Sequence, residues 1–494
     1  MPSTAGSANA ADSRTSSRSE QIAQCLVLLV LLVATAWIAL HKATVADPDI
    51  WWHLSTGDWI FAHHAIPRAD PFSSTTLNQP WQAYSWLFEL IVAKLYALRN
   101  LAGVEFYTGG TLIAIAAALY HLLRRCQRDF TLTIAFTAVA LFCMAGLFAP
   151  RPWHFTIFCF ILLLDILLHA RRTGNTRGLL WLPLIFILWA NTHIQFIDGL
   201  LILALALAES IVAQRIAAAS SSTKLKPSAL AIALVGCIAA TCINPYGITI
   251  YKTAYDLAAQ AGAMSKISEL AAIPFRTLPE FLLLFLTLGA AAALARRRDL
   301  SLFEIGLLAF SAFLAFRSQR DLWMLAITAV TILASTLVSG NSRAPHRIPR
   351  FALPLVAIIA IFTMPLGLRI MHRSNPDLEL ILAEGMPAHA VDFAQQHHAA
   401  APIFTTFEWG GFCLHQLHLP VTIDGRAALH GDAQLDLSQQ TWNGGREWST
   451  NPDLRSAGVV IGPSSSALTQ LLRTDPHFQL AYEDSLAVVF IPRH

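Results

Sequence analysis

The sequence predicts a mainly α-helical, polytopic membrane protein that ends in an extracytoplasmic α/β domain. Of the 494 residues, 55% are hydrophobic and only 13% are charged, whereas a soluble protein of this size carries about 25% charged residues. Apolar runs long enough to cross a bilayer recur as far as residue 372. Residues 375–494 have ordinary polarity and no such run, and they are predicted to form a separate domain.

The apolar runs define the predicted membrane domain, residues 21–372. A crossing helix needs about 20 predominantly apolar residues. About eleven segments meet this requirement: 21–41, 103–123, 130–149, 154–170, 178–192, 195–214, 228–244, 279–295, 301–317, 322–339 and 351–371. The first run could be a cleaved signal peptide, but it exceeds the usual apolar length of roughly 7–15 residues, which favours an uncleaved anchor. Residues 1–20, a polar and Ser-rich leader, are predicted to be a disordered cytoplasmic N-terminus.

Basic residues predict the orientation of the chain, because the cytoplasmic loops of membrane proteins are enriched in Lys and Arg. The basic residues cluster at alternate junctions between the segments: Arg14/Arg18, Arg124/Arg125/Arg128, Arg171/Arg172/Arg177, Arg215/Lys224/Lys226, Arg296/Arg297/Arg298 and Arg343/Arg347/Arg350. We expect these clusters in the cytoplasm. An odd number of spans then places the C-terminal domain on the outer side of a cytoplasmic (inner) membrane.

Residues 42–102 are predicted to form one large outer loop with two interfacial helices. The stretch 81–98 could be taken for a further span, but Glu89 and Lys94 lie near its middle, and its apolar residues recur at helical spacing. If this stretch crossed the membrane, every later basic cluster would change sides. We therefore expect it to lie along the outer surface.

The outer loop opens with the motif DPDIWWH at residues 47–53. A helix that begins near Asp49 places His53 one turn later on the same face. Two carboxylates and an imidazole can hold a divalent cation such as Mg²⁺ or Mn²⁺, or act as a base on an acceptor. The alternative, that an Asp merely caps the helix, accounts for one carboxylate only. Asp47, Asp49 and His53 are therefore the predicted catalytic residues, and Asp47 and Asp49 are the candidate metal ligands.

Polar residues at other outer junctions form a second set of candidates. Arg317 and Arg320 lie between the ninth and tenth segments, where they oppose the positive-charge bias. Guanidinium groups suit contacts with phosphate, and Arg151 could contribute to the same site; headgroup anchoring is the alternative. Asn191 and His193, at another junction, either line a cavity or cap helix ends.

Residues 375–494 show alternating strand-like and helix-like patterns, which favour a small α/β domain. The expected helices are 387–399 and 465–474, and the expected strands are 402–407, 421–423, 457–463, 478–483 and 486–491. A turn is expected at Trp409-Gly410-Gly411. Charged residues on loops after strands are often ligand contacts, although exposed turns are the plainer interpretation. The candidates for acceptor contacts are Glu408, Trp409, Asp424 and Arg426.

The layout resembles the GT-C superfamily of polyprenyl-phosphate-dependent membrane glycosyltransferases, and within it the catalytic subunits of oligosaccharyltransferases. The matching features are a first span, an outer loop that opens with DPDIWWH, many later spans and a terminal domain. FEWGGFCLHQL at 407–417, followed by TIDGRA at 422–427, is similar to the region of the Trp-Trp-Asp-Tyr-Gly turn in those subunits. It differs in having Glu408 before a single Trp409.

The resemblance implies an enzyme that moves a sugar from a polyprenyl-phosphate donor to a glycan, lipid or protein acceptor at the outer face of the cytoplasmic membrane. Asp47 and Asp49 would serve the acceptor, one of them as base, and His53 would orient them. Arg317 and Arg320 would neutralise the phosphate of the donor.

Two other functions remain open. A flippase for a lipid-linked glycan would need ionisable residues along a path through the membrane; the candidates are Asp165, Asp198, Glu209 and Glu304. A non-catalytic scaffold with the same architecture is the other alternative. The formal charge of +3 is too small to indicate nucleic-acid binding.

Overall fold

The computed structural model describes residues 5–41, 44–215, 224–259, 267–297, 299, 301–337, 349 and 351–493. Fourteen helices precede the C-terminal domain in this part of the chain. They are α1 (Ala5–His41), α2 (Ile50–His63), α3 (Trp86–Arg99), α4 (Leu101–Cys126), α5 (Phe130–Cys143), α6 (Trp153–Thr173), α7 (Leu182–Thr192), α8 (Phe196–Arg215), α9 (Pro227–Thr241), α10 (Ile250–Ala259), α11 (Leu278–Ala295), α12 (Leu302–Arg317), α13 (Leu322–Thr336) and α14 (Ala352–Ile370).

Each of the predicted membrane segments contains one helix. Among the described residues, 6 helices are long and apolar enough to cross a membrane, namely α4, α6, α8, α11, α14 and the part of α1 from Arg18 to His41. Helices α5, α7, α9, α12 and α13 have 14, 11, 15, 16 and 15 residues, which is less than the roughly 20 that a full crossing needs. The count of eleven spans therefore stays a prediction.

The N-terminal leader differs from its prediction. Helix α1 begins at Ala5, so the expected disorder of residues 1–20 is wrong from Ala5 onward. Alanine has the highest helix propensity, and a helix that is already nucleated in the apolar segment extends at little cost. Residues 1–4 lie outside the described residues.

The membrane helices differ in how much of their surface the protein covers. Helices α4 and α6 are mostly buried, whereas α1, α11 and α14 have broad exposed faces. These faces are apolar, with side chains such as Val30, Phe285, Leu288, Ile358 and Phe362. Exposed apolar faces of this size suit contact with lipid tails rather than with water.

Basic junctions meet at one end of the helix bundle. Arg125 pairs with Asp165, Arg171 with Glu209, and Arg297 with Glu304. The backbone N–H of Lys224 donates to the carbonyl of Arg171 at 3.1 Å. Four of the predicted basic clusters therefore lie at the same end of the bundle, as expected from their position at every second junction between the predicted spans. The structures of Arg298, Arg343, Arg347 and Arg350 and the side chain of Arg14 lie outside the described residues.

The outer loop contains the two predicted helices, α2 and α3. They cross closely because residue 57 is a glycine: a Cβ atom there would lie 2.5 Å from the Cβ of Ala93. Helix α3 lies deeper than expected. Its residues Phe88, Glu89 and Val92 are buried, because α3 also contacts α4 and α7.

The C-terminal domain has the expected α/β composition. Its elements are α15 (Asn375–Ala383), α16 (Ala388–Gln396), β1 (Ile403–Phe404), α17 (Phe407–Leu417), α18 (Ala427–Trp442), α19 (Pro452–Arg455), β2 (Val459–Pro463), α20 (Ala467–Leu472), β3 (Phe478–Glu483) and β4 (Ala487–Pro492). The strand order is β1-β2-β4-β3. Strands β1 and β2 are parallel, and the other pairs are antiparallel.

Two predictions within this domain are wrong. Trp409-Gly410-Gly411 is not a turn but lies inside α17, which begins after the capping residue Thr406. The side chain of Thr406 accepts a hydrogen bond from the N–H of Trp409 at 3.3 Å. Residues 421–423 do not form a strand; Val421 makes only isolated bridges, to Ser73 of the outer loop and to Ile403.

A buried ion-pair network joins the C-terminal domain to the outer loop. The Arg426 guanidinium donates to Asp424 (Nη2–Oδ2 2.6 Å), to Asp70 (Nη1–Oδ1 2.6 Å) and to Ser73 (Nη2–Oγ 2.8 Å). It also lies over the ring of Trp81, 4.7 Å from the centroid. Asp424, predicted as an acceptor contact, is fully buried in this network. The domain is therefore held against residues 70–81.

We expect Arg426→Met to destabilise the protein by about 3–5 kcal/mol, because it leaves the buried Asp70 and Asp424 carboxylates without their cation. Thermal unfolding of the purified protein in detergent measures this. Arg473→Met is the matched control in the same domain, since Arg473 forms only an exposed pair with Glu483 and such pairs contribute little. Equal unfolding temperatures for the two variants would contradict the prediction.

Candidate active site

A cavity of about 530 Å³ lies between the outer loop, several junctions of membrane helices and the C-terminal domain. It is at the end of the bundle opposite to the paired basic junctions. Seven of the residues that the sequence predicts as site residues line it: Asp49, His53, Arg151, His193, Arg317, Arg320 and Arg426. The fold thus brings together polar residues from junctions that are far apart in the chain.

Asp49 is the N-cap residue of α2, but its side chain makes no capping hydrogen bond. Its Oδ2 instead accepts from Nη1 of Arg151. Asp47 supports this arrangement: its Oδ1 accepts from the backbone N–H of Asp49 at 3.0 Å, and its Oδ2 accepts from Nε of Arg151 at 2.8 Å. Helix capping therefore explains neither carboxylate. Asp49 lines the cavity, and Asp47 lies behind it.

Arg151 is buried among three carboxylates. Its Nη2 donates to Glu269 at 3.2 Å, in addition to the bonds with Asp47 and Asp49. The sequence predicts Arg151 as a phosphate contact, but all three nitrogens of its guanidinium already bond to acids. In this arrangement it holds the acidic residues in place.

Burial raises the pKa of Asp49 to about 7; the guanidinium of Arg151 opposes this rise, and the carboxylates of Asp47 and Glu269 add to it. A carboxyl group whose pKa is raised in this way changes its protonation state near neutral pH. It can therefore accept a proton at physiological pH and release it again, as a general base must.

His53 pairs with a residue that the sequence does not single out. Its Nδ1 lies 3.1 Å from Oε1 of Glu89, and its ring stacks on that of Trp52 with centroids 3.5 Å apart. Burial lowers the pKa of His53 well below its usual value and raises the pKa of Glu89 well above its own. Both shifts favour neutral groups, in which Glu89 donates to Nδ1 and His53 carries its proton on Nε2. The backbone N–H of His53 donates to the carbonyl of Asp49 at 3.3 Å, so the contact between the two residues is a main-chain contact.

Two arginines and a histidine, Arg317, Arg320 and His193, also line the cavity. Arg320 is half-buried and Arg317 is exposed. His193 is fixed by the hydroxyl of Thr156, 2.8 Å from its Nδ1.

Besides Asp47 and Asp424, three of the predicted site residues do not line the cavity. Asn191 accepts from Trp86 Nε1 at 2.8 Å and donates to backbone carbonyls. Glu408 is exposed on α17. Trp409 donates to the carbonyl of Gly385 at 3.1 Å. Asn191 and Trp409 therefore hydrogen-bond within the surrounding fold, and Asp424 does the same in the Arg426 network.

Two glycines of the C-terminal domain allow it to approach the acidic motif. A Cβ atom on Gly425 would overlap Oδ1 of Asp49, and one on Gly411 would lie 3.1 Å from the backbone nitrogen of Trp52. The motifs EWGG and DGR therefore serve close packing over Asp49.

The described residues do not fit the expected divalent cation. Mg²⁺ and Mn²⁺ prefer about six oxygen ligands, whereas the carboxylates of Asp47 and Asp49 both accept hydrogen bonds from Arg151. No group of three or more His, Cys, Asp or Glu side chains suited to a metal occurs in the part of the chain that the structure describes. Here the guanidinium supplies the positive charge beside the acids.

The sequence offers only weak signals for the missed residues. Glu89 lies in an amphipathic helix with Lys94, where a surface position is the ordinary interpretation. Glu269 lies in a polar stretch between α10 and α11. The one signal in the sequence is the position of Glu89, a carboxylate in the middle of a mostly apolar helix.

Comparisons with known proteins bear on the whole chain. No protein-family model matches the sequence, and no curated protein matches it. Several solved structures are similar to the chain, among them ArnT and AglB. ArnT from Cupriavidus metallidurans, bound to undecaprenyl phosphate, is 14% identical with a TM-score of 0.50 and covers 93% of this chain and 97% of its own. The archaeal oligosaccharyltransferase AglB from Archaeoglobus fulgidus, with an inhibitory peptide and a dolichol-phosphate, is 11% identical with a TM-score of 0.53 and covers 88% and 69%.

The chain has a GT-C fold. The predicted resemblance is confirmed at the level of the fold, and 6 of the described helices are long and apolar enough to cross a membrane. The GT-C fold accounts for the layout of a first helix, a large loop, a helix bundle and a terminal α/β domain.

We expect the carboxyl group of Asp49 to titrate near pH 7, as followed by its infrared band and identified by its loss in Asp49→Asn. Arg151→Met should raise this pKa, because it removes the neighbouring positive charge. Asp47→Asn should lower it, because it removes a negative charge. A wild-type pKa near 4, or shifts of the same sign in both variants, would contradict the assigned electrostatics.

Proposed function

We propose that the protein is a membrane glycosyltransferase that transfers a sugar from a polyprenyl-phosphate donor to an acceptor. One observation carries this proposal: the half-buried carboxylate of Asp49 lines the same cavity as Arg317 and Arg320. Sugar transfer from a lipid phosphate needs a base for the acceptor and positive charge for the leaving phosphate. A GT-C fold is consistent with both needs.

The proposed reaction is a displacement at the anomeric carbon of the donor sugar. The acceptor oxygen or nitrogen forms a bond to this carbon while the bond from the carbon to the phosphate oxygen breaks. The acceptor proton passes to Asp49, and the electron pair of the broken bond stays on the phosphate. Oδ2 of Asp49 is held by Arg151, so Oδ1, beside Gly425, is the atom that accepts the proton. Asp47 and Arg151 are positioning residues.

The donor class follows from the arginines and from the fold. Undecaprenyl phosphate and dolichol-phosphate are bound in the similar structures, and Arg317 and Arg320 suit a phosphate at the cavity wall. The acceptor is a glycan, a lipid or a protein. We propose that the cavity faces the outer side of the cytoplasmic membrane, because the basic junctions at the other end fit the cytoplasmic side.

The pairing of the intramembrane acids favours the enzyme over the flippase. Of the four acids that a transport path could use, Asp165, Glu209 and Glu304 are paired with arginines at the basic end. Only Asp198 lines the cavity. A path of ionisable groups across the membrane would instead need acids at several depths.

We expect Asp49→Asn to reduce sugar transfer by at least about 100-fold, because a general base contributes roughly 10²–10⁴ in rate. The assay incubates the purified protein in nanodiscs with undecaprenyl phosphate that carries a labelled sugar and measures label on the acceptor fraction. Wild-type transfer should rise with pH through about 7, since only ionised Asp49 accepts a proton.

Asp432→Asn, a carboxylate outside the cavity-lining set, is the control and should retain wild-type activity. Full transfer by Asp49→Asn would refute the role of Asp49. Movement of labelled lipid across liposomes without transfer would identify a flippase, and neither activity would favour a scaffold.

We expect wild-type transfer to persist in EDTA, because Arg151 provides the positive charge between the acids. The measurement compares initial rates in excess EDTA with rates after addition of Mg²⁺ or Mn²⁺. A rate that falls in EDTA and recovers with either ion would show that the reaction needs a metal despite the position of Arg151.

A further inference from the structure

Five buried polar atoms that line the cavity have no hydrogen-bond partner among the described residues. They are Trp52 Nε1, Ser85 Oγ, Glu89 Oε2, Gln195 Oε1 and Arg320 Nε. Native proteins seldom leave buried polar atoms unpaired, because each has lost its hydrogen bonds to water without replacement. Their concentration in one cavity indicates a polar ligand that completes these bonds.

The five atoms fall into two groups. Gln195 and Arg320 belong to one wall: Nε2 of Gln195 donates to Oδ1 of Asp321, the neighbour of Arg320, at 2.6 Å. This wall is the proposed phosphate site. Trp52, Ser85 and Glu89 come from α2 and the start of α3, together with His53. We refer to these four residues as the α2–α3 corner.

The α2–α3 corner is built into the fold and is not a surface feature. The exposed fractions of Trp52, His53, Ser85 and Glu89 are 8%, 3%, 1% and 1%. Ser85 is the N-cap residue of α3, yet its hydroxyl makes no capping bond, although capping is the usual role of a serine there. Ser85 and Glu89 lie one turn apart on the same face of the chain. Their polar atoms therefore point to a common ligand.

The chemistry of the α2–α3 corner suits hydroxyl groups and not phosphate. Trp52 offers an N–H donor, Glu89 offers a carboxyl oxygen, and Ser85 offers a hydroxyl that can donate or accept. No cation belongs to the corner, so none of its four residues would neutralise a phosphate anion. Sugar hydroxyls both donate and accept, so they match a mixed set of this kind. The rings of Trp52, Trp81 and Tyr84 line the same cavity and offer apolar surface to the carbon–hydrogen face of a sugar.

We infer that the α2–α3 corner binds the sugar ring of the donor and that Glu89, Ser85 and Trp52 select which sugar is accepted. This inference rests on the proposed function, because it takes the Arg317–Arg320 wall as the phosphate site. A donor whose phosphate lies at that wall has its sugar in the same cavity as Asp49. The sugar ring of an acceptor glycan has the same chemistry, so the experiment must separate the two sources.

The experiment measures how much the sugar adds to donor binding. Fluorescent undecaprenyl phosphate bound to the protein in nanodiscs is displaced by unlabelled undecaprenyl phosphate, and separately by undecaprenyl phosphate carrying glucose, mannose or galactose. The dissociation constant of undecaprenyl phosphate is divided by that of the same lipid carrying a sugar. This ratio exceeds one when the sugar adds to binding, and it isolates the contribution of the sugar. Affinity for undecaprenyl phosphate itself reports whether a variant is folded and whether its phosphate site is intact.

Four variants and one control carry the test. Ser85→Ala and Trp52→Phe each remove one hydrogen bond and should lower the ratio by roughly 2- to 12-fold. Glu89→Leu should lower it further, whereas Glu89→Gln should retain most of it, because the amide keeps a donor and an acceptor in place. Glu408→Leu, on the exposed face of α17, should not change the ratio. All five should bind undecaprenyl phosphate as the wild type does.

The outcomes separate the inference from the function it rests on. The inference is overturned if the ratio is unchanged in Glu89→Leu and Ser85→Ala. It is also overturned if the wild type binds none of the three sugar-carrying lipids more tightly than the bare lipid. A rise in the KM of the acceptor with an unchanged ratio overturns it as well, since the ring in the corner would then belong to the acceptor. A wild type that does not bind undecaprenyl phosphate at all overturns the proposed function itself.

Discussion

The buried guanidinium of Arg151 and the three carboxylates around it determine the geometry of this site. A buried charge is costly unless it is paired and hydrogen-bonded, so Arg151 fixes where the segments that carry its partners must meet. Asp47 and Asp49 come from the outer loop, Arg151 from the junction of α5 and α6, and Glu269 from the segment between α10 and α11. Three acids against one cation leave an excess of negative charge. This excess, together with burial, keeps Asp49 near its ionisation point at neutral pH.

The C-terminal domain acts as one unit with the outer loop. Arg426 bonds to Asp70, and Gly425 contacts Asp49 so closely that no side chain fits between them. The domain thereby packs directly against the acidic motif. A domain that moved freely on a linker could not hold Oδ1 of Asp49 in one place. The contact between the domain and the outer loop therefore also fixes the position of the Asp49 carboxylate.

Hydropathy and the spacing of basic residues predict the helix bundle, because lipid imposes apolar segments of a fixed length. The same reasoning marks Asp49 and Arg151, since polar groups at outer helix junctions are unusual there. It does not mark Glu89 or Glu269, whose partners lie 36 and 118 residues away in the chain. Only the tertiary fold creates those pairs. The glycines of EWGG mislead for a related reason: glycine is common in turns, but at Gly411 it serves the contact of α17 with α2.

The two ends of the helix bundle use charge in opposite ways. At the basic end the described arginines Arg125, Arg171 and Arg297 are paired with acids of neighbouring helices. These ion pairs hold the helices together. At the cavity end, polar atoms of Glu89 and Arg320 remain without partners. Since unpaired buried groups destabilise a fold, a protein retains them where a ligand supplies the missing bonds. The ion pairs at the basic end therefore join neighbouring helices, whereas the unpaired atoms of Glu89 and Arg320 at the cavity end are the ones that the proposed ligand would satisfy.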